Sequence, residues 1–128
     1  KVLELVAMQL YNCMGRDEVQ VETFGKKELF LSIQHYLDNT FLEEHSLKNI
    51  ARHFGINEFL LKKGFRENIG TTVFDYLLSK RLEYSLQLLQ STDQSIADIS
   101  VTIGYKYPNH FSSAFKKRFG VNPTDWRK

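Results

Sequence analysis

The sequence predicts an all-α protein built from two helix-turn-helix subdomains and a long helix between them. Glycine and proline make up only 7 and 2 of the 128 residues, and residues that favour helices dominate the remainder. Residues 46–70 (the first repeat) match residues 95–120 (the second repeat) almost position by position, with apolar residues at helical spacing in both. A repeat of about fifty residues indicates two copies of one structural unit.

Residues 1–27 precede the repeats and are predicted to form a helix followed by a linker. Leu3 and Leu10 lie on one side of a helix that extends to about Met14. Residues 15–27 are polar and contain two glycines, which is typical of a linker. Because the chain starts without a methionine inside an apolar helical pattern, we expect this segment to be the tail of a missing sensor or dimerisation domain.

The predicted helical domain covers residues 28–128 and begins with an amphipathic helix over residues 28–41. Leu29, Ile33 and Leu37 recur on its inward side, and the helix is expected to brace the first repeat.

The first repeat is predicted to contain two helices around a turn. Ser46 has the side chain of an N-cap, and Gly55 falls where a chain leaving a helix commonly needs a left-handed backbone. The second helix covers about residues 58–68, with Leu61 and Phe65 directed into the core.

Residues 72–90 carry the longest continuous helical pattern. Its nineteen residues would span about 28 Å at the rise of an α-helix. Successive major grooves on one face of B-DNA repeat about every 34–36 Å, so this connecting helix could hold two DNA-reading helices nearly one turn apart. Its apolar face is predicted to contain Phe74, Leu77, Leu78, Leu82, Leu86 and Leu89.

The second repeat is predicted to have the same form. Ser95 suits the N-cap, and Asp98 can return a hydrogen bond in the manner of a capping box. Gly104 marks the turn, and Phe111 and Phe115 are assigned to the core of the second helix. Trp126, in the final turn of the sequence, is expected to pack against this repeat.

Positive charge is concentrated on the two repeats. Residues 46–70 hold five basic and two acidic side chains, and residues 104–128 hold six and one. The other two stretches are net negative, and the whole chain has a formal charge of +2. Basic charge on helix-turn-helix segments is what contact with the DNA polyanion requires.

The second helix of each repeat supplies the candidate DNA contacts, because its N-terminal half faces base edges in such complexes. A lysine can donate to guanine O6 and N7, an aromatic ring can contact the thymine methyl, and an asparagine suits adenine. The candidates for base contacts are Asn57, Phe59, Lys62, Lys63, Asn109, Ser112 and Ser113, with His110 beside them. The candidates for phosphate contacts are Ser46, Arg66, Ser95, Lys106, Lys116 and Lys117.

The segment GYKYPNHFSSAFKKRFGVNPTDWR resembles the C-terminal signature of AraC/XylS-type bacterial transcription regulators. The segment LKNIARHFGINEFLLKKGFRENIGTTVFDYLLSKRLEYSLQLL follows the pattern of the same family. The resemblance covers about residues 28–128 and implies a homeodomain-like domain of about seven helices, whose two helix-turn-helix units enter adjacent major grooves. The sequence NEFLLKKGF…GTTVFDYL is similar to sequences of the iron-siderophore-responsive branch of the family.

The resemblance also implies the partners of the protein. These are double-stranded promoter or operator DNA, RNA polymerase, and a small-molecule inducer bound by a missing N-terminal domain. A cytoplasmic activator at the bacterial nucleoid is expected, with no cofactor and no metal. The resemblance places the family's base-contacting positions on Phe59, Lys62, Lys63, Asn109, Ser112 and Ser113.

Three positions depart from the family's usual pattern. Ser113 stands where many members have an arginine, so the second repeat is expected to read fewer bases or to depend on phosphates. Glu58 replaces a frequent proline, and Gly64 interrupts the second helix of the first repeat where a larger apolar residue is usual. Both changes are expected to loosen the first repeat.

An enzyme and a helical protein-interaction module are the two alternatives to a DNA-binding protein. The sequence has no HExxH motif, paired-cysteine motif, phosphate loop or nucleophile elbow, which argues against an enzyme. The single cysteine, Cys13, excludes an internal disulfide, and no apolar run approaches the ~20 residues of a membrane span. A helical protein-interaction module is the alternative that stays open, and it should lack the steep salt dependence of DNA binding.

Overall fold

The computed structural model describes residues 26–127, and the part of the chain so described contains seven α-helices and no strand. The predicted all-α fold is therefore confirmed. The helix and most of the linker predicted over residues 1–27 lie outside the described residues. The helices are α1 (Lys26–Thr40), α2 (Leu47–Phe54), α3 (Glu58–Ile69), α4 (Val73–Ser91), α5 (Ile96–Thr102), α6 (Pro108–Phe119) and α7 (Pro123–Arg127).

The helices divide between two compact units. The first unit extends to Tyr76 and contains α1, α2, α3 and the first turn of α4, whereas the second unit begins at Leu77 and contains the remaining helices. Each unit therefore holds one of the two repeats, and the long helix predicted between the repeats contributes to both.

The first unit is held together by apolar side chains that α1 and α3 bury against each other and against α2. Fully buried members of this core are Phe30, Ile33, Leu37, Ile50, Leu61 and Phe65. The Tyr76 hydroxyl donates a hydrogen bond to the Asp38 carboxylate, which fastens the first turn of α4 to α1.

The turn of the first repeat has the predicted chemistry. The Ser46 hydroxyl oxygen accepts a hydrogen bond from the backbone N–H of Asn49 at 3.1 Å and so caps α2. Gly55 ends the same helix in the left-handed region, with φ of 69°. The Asn57 side chain then caps α3 by accepting from the N–H of Leu60 at 2.7 Å.

Gly64 is buried in the middle of α3, and the helix continues through it without a break. A Cβ at this position would lie 2.0 Å from the Cζ atom of Phe30, whose ring is itself fully buried. The aromatic ring of α1 thus occupies the space that a larger residue at position 64 would fill. Gly64 thus does not break the helix, and the expectation that it loosens the first repeat stays a prediction.

The second unit is packed around a separate cluster contributed by α4, α5 and α6. Its buried residues are Leu82, Leu88, Leu89, Ile99, Ile103, Phe111 and Phe115. Ser95 caps α5 by accepting from the N–H of Asp98 at 3.0 Å, whereas the return bond expected from the Asp98 carboxylate is not formed. Gly104 follows α5 with φ of 96°, and the Arg81 guanidinium lies over it.

The inward face of α4 differs from the predicted one at both of its ends. Phe74 and Leu78 were predicted to be buried but are 49% and 38% exposed. Val73 and Leu88 are buried instead, together with Ser85, whose hydroxyl donates to the Leu82 carbonyl at 2.5 Å. Only the first turn of α4 belongs to the first unit, where Val73 is its buried residue, and the rest of the helix packs within the second unit.

The end of the described chain is anchored by Arg127 rather than by Trp126. The Trp126 side chain, which was expected to pack against the second repeat, is 41% exposed. The Arg127 guanidinium donates to carbonyl oxygens in and just after the last turn of α4, where carbonyls commonly lack a partner within the helix, although that of Leu88 also accepts from the N–H of Thr92. The acceptors are the carbonyls of Leu88, Leu89, Thr92 and Gln94.

Candidate nucleic-acid interface

The side of α3 that turns away from the core carries a stripe of basic and aromatic side chains. Phe59, Lys62, Lys63 and Arg66 are all exposed, and their spacing of three and four residues places them on one side of the helix. Leu61, Gly64 and Phe65 make up the opposite, buried side. The structure therefore brings together four of the predicted contact residues on one accessible surface.

Phe59 is the most exposed large apolar residue of the described chain, at 73%. The Lys63 ammonium lies 5.8 Å from the centre of its ring, within the range of a cation–π contact. A ring so exposed gains little from the core and is accessible to a partner.

Glu67 adds an acidic group near the end of the same helix, where phosphate contacts are expected. Its carboxylate pairs with the Lys26 ammonium at 3.5 Å, and the two side chains are 50% and 37% exposed. Lys26, at the start of α1, thus offsets a negative charge that would repel a polyanion.

The outward side of α6 carries the candidates of the second repeat. Asn109 and Ser113 are exposed, whereas Ser112 is half-buried and so offers less of its hydroxyl to a partner. Lys116 and Lys117 are exposed at the C-terminal end of the helix, where phosphate contacts were predicted. Phe111 and Phe115 are fully buried, as predicted from their spacing.

Arg118 follows these lysines but is engaged elsewhere. Its guanidinium pairs with the Glu83 carboxylate at 3.0 Å and lies against the Phe119 ring. The basic end of α6 thus presents two lysines outward, while the arginine braces α6 against α4.

Sequence reasoning gave Tyr107 no role, yet this residue leads into α6 with its side chain 49% exposed. The Lys106 ammonium lies 5.5 Å from its ring centre, and the His110 ring meets it edge-on at 5.4 Å. The signal that could have found it is an aromatic residue directly before the Pro108 that starts a basic helix.

The neighbouring Tyr105 points inward and packs against Phe111. Burial raises the pKa of the Tyr105 phenol above its ordinary value of 10.0, although the Arg81 guanidinium opposes that effect. The phenol is consequently neutral at physiological pH, and it belongs to the support of the turn rather than to the exposed surface.

The helix starts at Ser46 and Ser95 were predicted to meet phosphates. Both hydroxyl oxygens already accept a backbone N–H as N-caps, which leaves the hydroxyl proton as the group that each could donate. Asp98 lies in the first turn of α5 and opposes an anion there, whereas α2 has no acidic residue in its first turn.

The histidines of the first unit are packing and hydrogen-bonding residues. His53 stacks on Tyr36 with ring centres 4.4 Å apart, and His45 Nε2 lies 2.8 Å from the Thr40 carbonyl oxygen. Within residues 26–127 no cluster of His, Cys, Asp or Glu could hold a metal ion. No helix of that stretch is long and apolar enough to cross a membrane.

Comparison with known proteins gives consistent matches. A family model described as a helix-turn-helix domain matches residues 50–128. The chain is 31% identical to the HTH-type transcriptional activator RhaS of Enterobacter sp. (strain 638) over 126 residues, which cover 98% of this chain and 45% of that protein. It is 36% identical over 98 residues to the lactose operon transcription activator of Staphylococcus xylosus, covering 74% of this chain and 35% of the relative.

Among solved structures, the fold matches that of a Chromobacterium violaceum transcriptional regulator, one of the AraC-type DNA-binding domain-containing proteins. The two share 29% identity and superimpose with a TM-score of 0.73 over 80% of this chain and 92% of the other. The chain spans less than half of the length of both curated relatives, so it corresponds to one part of such proteins.

Proposed function

Because this chain belongs to the AraC-type helix-turn-helix family, we propose that it is the DNA-binding part of a bacterial transcription regulator. It binds double-stranded promoter or operator DNA with sequence preference, and the whole protein activates transcription. The observation that carries this proposal is the outward stripe of Phe59, Lys62, Lys63 and Arg66 on α3, opposite a fully buried side. The chain is not an enzyme, since the family and the relatives it matches are transcription regulators.

The proposal gives α3 and α6 the role of recognition helices, which enter successive major grooves of B-DNA. The length of α4 supports it, because nineteen helical residues span about 28 Å. That length is close to the distance of about 34–36 Å between successive major grooves on one face of the duplex.

Each recognition helix is assigned base contacts near its start and phosphate contacts elsewhere. Asn57, Phe59, Lys62 and Lys63 read the first groove, and Asn109, Ser112 and Ser113 read the second. The phosphate contacts come from Ser46, Arg66, Ser95, Lys106, Lys116 and Lys117. Exposed ammonium and guanidinium groups at Arg66, Lys116 and Lys117 support this division.

The finer parts of the proposal concern the whole protein. We propose that a domain outside this chain binds a small-molecule inducer. We also propose that the protein belongs to the iron-siderophore-responsive branch of the family. The DNA-bound protein contacts RNA polymerase and acts in the bacterial cytoplasm, at the nucleoid. The greater length of the relatives supports a further domain, since this chain covers 45% of one and 35% of the other.

Base reading is tested by comparing how two lysine variants bind a duplex that the unaltered chain has selected from a random pool. Lys63→Ala should weaken binding to the selected duplex by about 1–3 kcal/mol and relax its base preference. Lys117→Ala should weaken binding to all sequences about equally. Gel-shift titrations of both variants, on the selected and on a scrambled duplex, give the comparison. If neither variant changes the gel shift, the site assignment is wrong.

The alternative function is that of a helical protein-interaction module. The salt dependence of the affinity distinguishes it from DNA binding. Counterion release makes the logarithm of the affinity fall linearly with the logarithm of salt concentration, by about 0.9 per neutralised phosphate. A titration at several salt concentrations with a slope near zero would favour the interaction module.

A further inference from the structure

The side chain of Tyr107 lies at the start of α6 but neither caps the helix nor enters the core. It is the N-cap residue, yet its side chain makes no capping hydrogen bond. Its ring is 49% exposed. At the corresponding place in the first unit, Asn57 uses its side chain to cap α3. The second unit therefore has an exposed aromatic ring at the position where the first unit has a capping side chain.

The ring is held in place by neighbours of complementary charge and shape. The Lys106 ammonium lies 5.5 Å from the ring centre, and the His110 ring meets it at 83° with centres 5.4 Å apart. A cation near the face and an edge-on aromatic are both favourable arrangements for a ring. Because these contacts restrict the ring before any partner binds, less conformational entropy is lost on binding.

The first recognition helix presents an arrangement of the same kind. Phe59 is 73% exposed, and the Lys63 ammonium lies 5.8 Å from its ring centre. Each unit thus carries an exposed ring accompanied by a lysine near the start of its recognition helix. A ring near that start can reach the edge of a base pair, since the N-terminal residues of such helices contact bases.

The polar base-reading groups of α6 are short. Ser113 is exposed but extends little beyond the backbone, and Ser112 is half-buried. Two serines select weakly among bases, so Asn109 alone would leave the second groove poorly read. The exposed ring at position 107 is the largest additional surface at this end of the helix.

We infer that Tyr107 is a specificity-determining residue of the second unit, and that its ring recognises a thymine through the C5-methyl group in the major groove. The inference rests on the proposed function, because it requires α6 to enter that groove. Contact between an apolar surface and the thymine methyl is a known means of reading this base. Lys106, beside the ring, then donates to the adjoining phosphate.

The test removes single methyl groups from the DNA. In the duplex selected by the unaltered chain, each thymine of the second half-site is replaced in turn by deoxyuridine, which lacks only the C5-methyl. At one position we expect about a fourfold loss of affinity, the equivalent of one buried methyl-sized group. Tyr107→Ala should bind the thymine duplex about as weakly and lose nothing further on the deoxyuridine duplex.

Two variants at position 107 and one control separate the ring from other effects. Tyr107→Phe should keep the methyl sensitivity, whereas Tyr107→Gln, of similar length but without a ring, should lose it. Phe74→Ala removes another half-exposed ring that is not on a recognition helix, and it should leave the sensitivity unchanged. Circular dichroism of each variant checks that the helices are intact.

The outcomes distinguish this inference from the function on which it rests. If Tyr107→Ala and Tyr107→Gln lose as much on deoxyuridine as the unaltered chain does, another residue reads the methyl and the inference is overturned. Indifference of the unaltered chain to every methyl, on a duplex it has selected, overturns it as well. A chain that selects no duplex at all ends the proposed function together with the inference.

Discussion

Phe30 and Gly64 form a complementary pair in the core of the first unit. The ring from α1 lies where a Cβ on α3 would stand, with 2.0 Å between the Cζ atom and that position. The ring has no free space to withdraw into, because it is fully buried. The pair lets α1 approach closely behind the recognition helix, and the glycine is a packing requirement rather than a weakness.

We therefore predict that Gly64→Ala destabilises the protein. Overpacking a full core costs about 1–3 kcal/mol, which outweighs the gain of up to about 1 kcal/mol when alanine replaces glycine in a helix. Urea denaturation followed by circular dichroism measures the change. In a Phe30→Leu background the same substitution should cost clearly less, and an equal cost in both backgrounds would contradict the steric explanation.

Ser100, in contrast to Gly64, is a residue whose side chain is expected to lower the stability of the fold. Its Oγ atom is buried and has no hydrogen-bond partner among the described residues. An unsatisfied buried hydroxyl costs about 1–3 kcal/mol. We expect Ser100→Ala to raise the free energy of unfolding by about 1 kcal/mol.

Ser85 is the matched control for this prediction. It is equally buried, but its hydroxyl donates to the Leu82 carbonyl. Ser85→Ala removes that hydrogen bond and should therefore gain less stability than Ser100→Ala. Equal gains from the two substitutions would show that helix propensity, not the unsatisfied hydroxyl, is responsible.

At the scale of the helices, the ion pair between α1 and α3 connects the start of the described chain to the proposed DNA-binding surface. Lys26 and Glu67 are 3.5 Å apart and both side chains are partly exposed. Such a pair stabilises the fold by less than about 1 kcal/mol. Its larger effect is expected on binding, because it neutralises an acid next to Arg66, a proposed phosphate contact.

We predict that Lys26→Ala weakens DNA binding about two- to fivefold, which corresponds to less than about 1 kcal/mol. Glu67→Gln should strengthen binding slightly, and in that background Lys26→Ala should have no further effect. Fluorescence anisotropy with a labelled duplex gives all four affinities. A loss that persists in the Glu67→Gln background would instead mean that Lys26 contacts a phosphate itself.

Helical periodicity predicted where the helices lie better than it predicted which sides they bury. Six predicted helices are found in the described part of the chain, but α1 begins at Lys26, within the predicted linker. The predicted inward face of α4 was wrong at Phe74, in the first unit, and at Leu78, in the second, because spacing alone does not show which apolar residues the neighbouring helices cover. The ring of Phe30 behind Gly64 could not be foreseen, because it depends on a contact between distant residues.

For the candidate site, spacing was sufficient to predict the outward stripe on α3. Phe59, Lys62, Lys63 and Arg66 follow from the positions of Leu61 and Phe65 alone. The aromatic ring at the start of α6 was not foreseen, because it lies outside the helical periodicity on which the assignment depended. Whether any of these residues contacts a base stays a prediction.

For the whole molecule, the proposed entry of α3 and α6 into successive major grooves requires the two half-sites to keep a fixed spacing. We predict that adding about 5 base pairs, half of a 10–10.5-base-pair turn, between the half-sites reduces the affinity to that of one unit alone. The added pairs would rotate the second groove to the opposite face of the duplex. Gel-shift titration measures the loss.

A duplex with the same spacer length but altered spacer bases is the control, and it should bind normally. Unchanged affinity after the half-turn insertion would mean that the units bind independently, and the assignment of adjacent grooves would then be wrong.

Arg127 has a consequence for how the protein can be inactivated. Its guanidinium serves four carbonyl oxygens around the end of α4, so one side chain completes the helix on which the second unit is assembled. A carboxypeptidase that digested past this residue would remove these four hydrogen bonds before it reached α6. Loss of Arg127 should thus weaken the end of α4, and with it the second unit, while the proposed DNA contacts of α6 are still in the polypeptide.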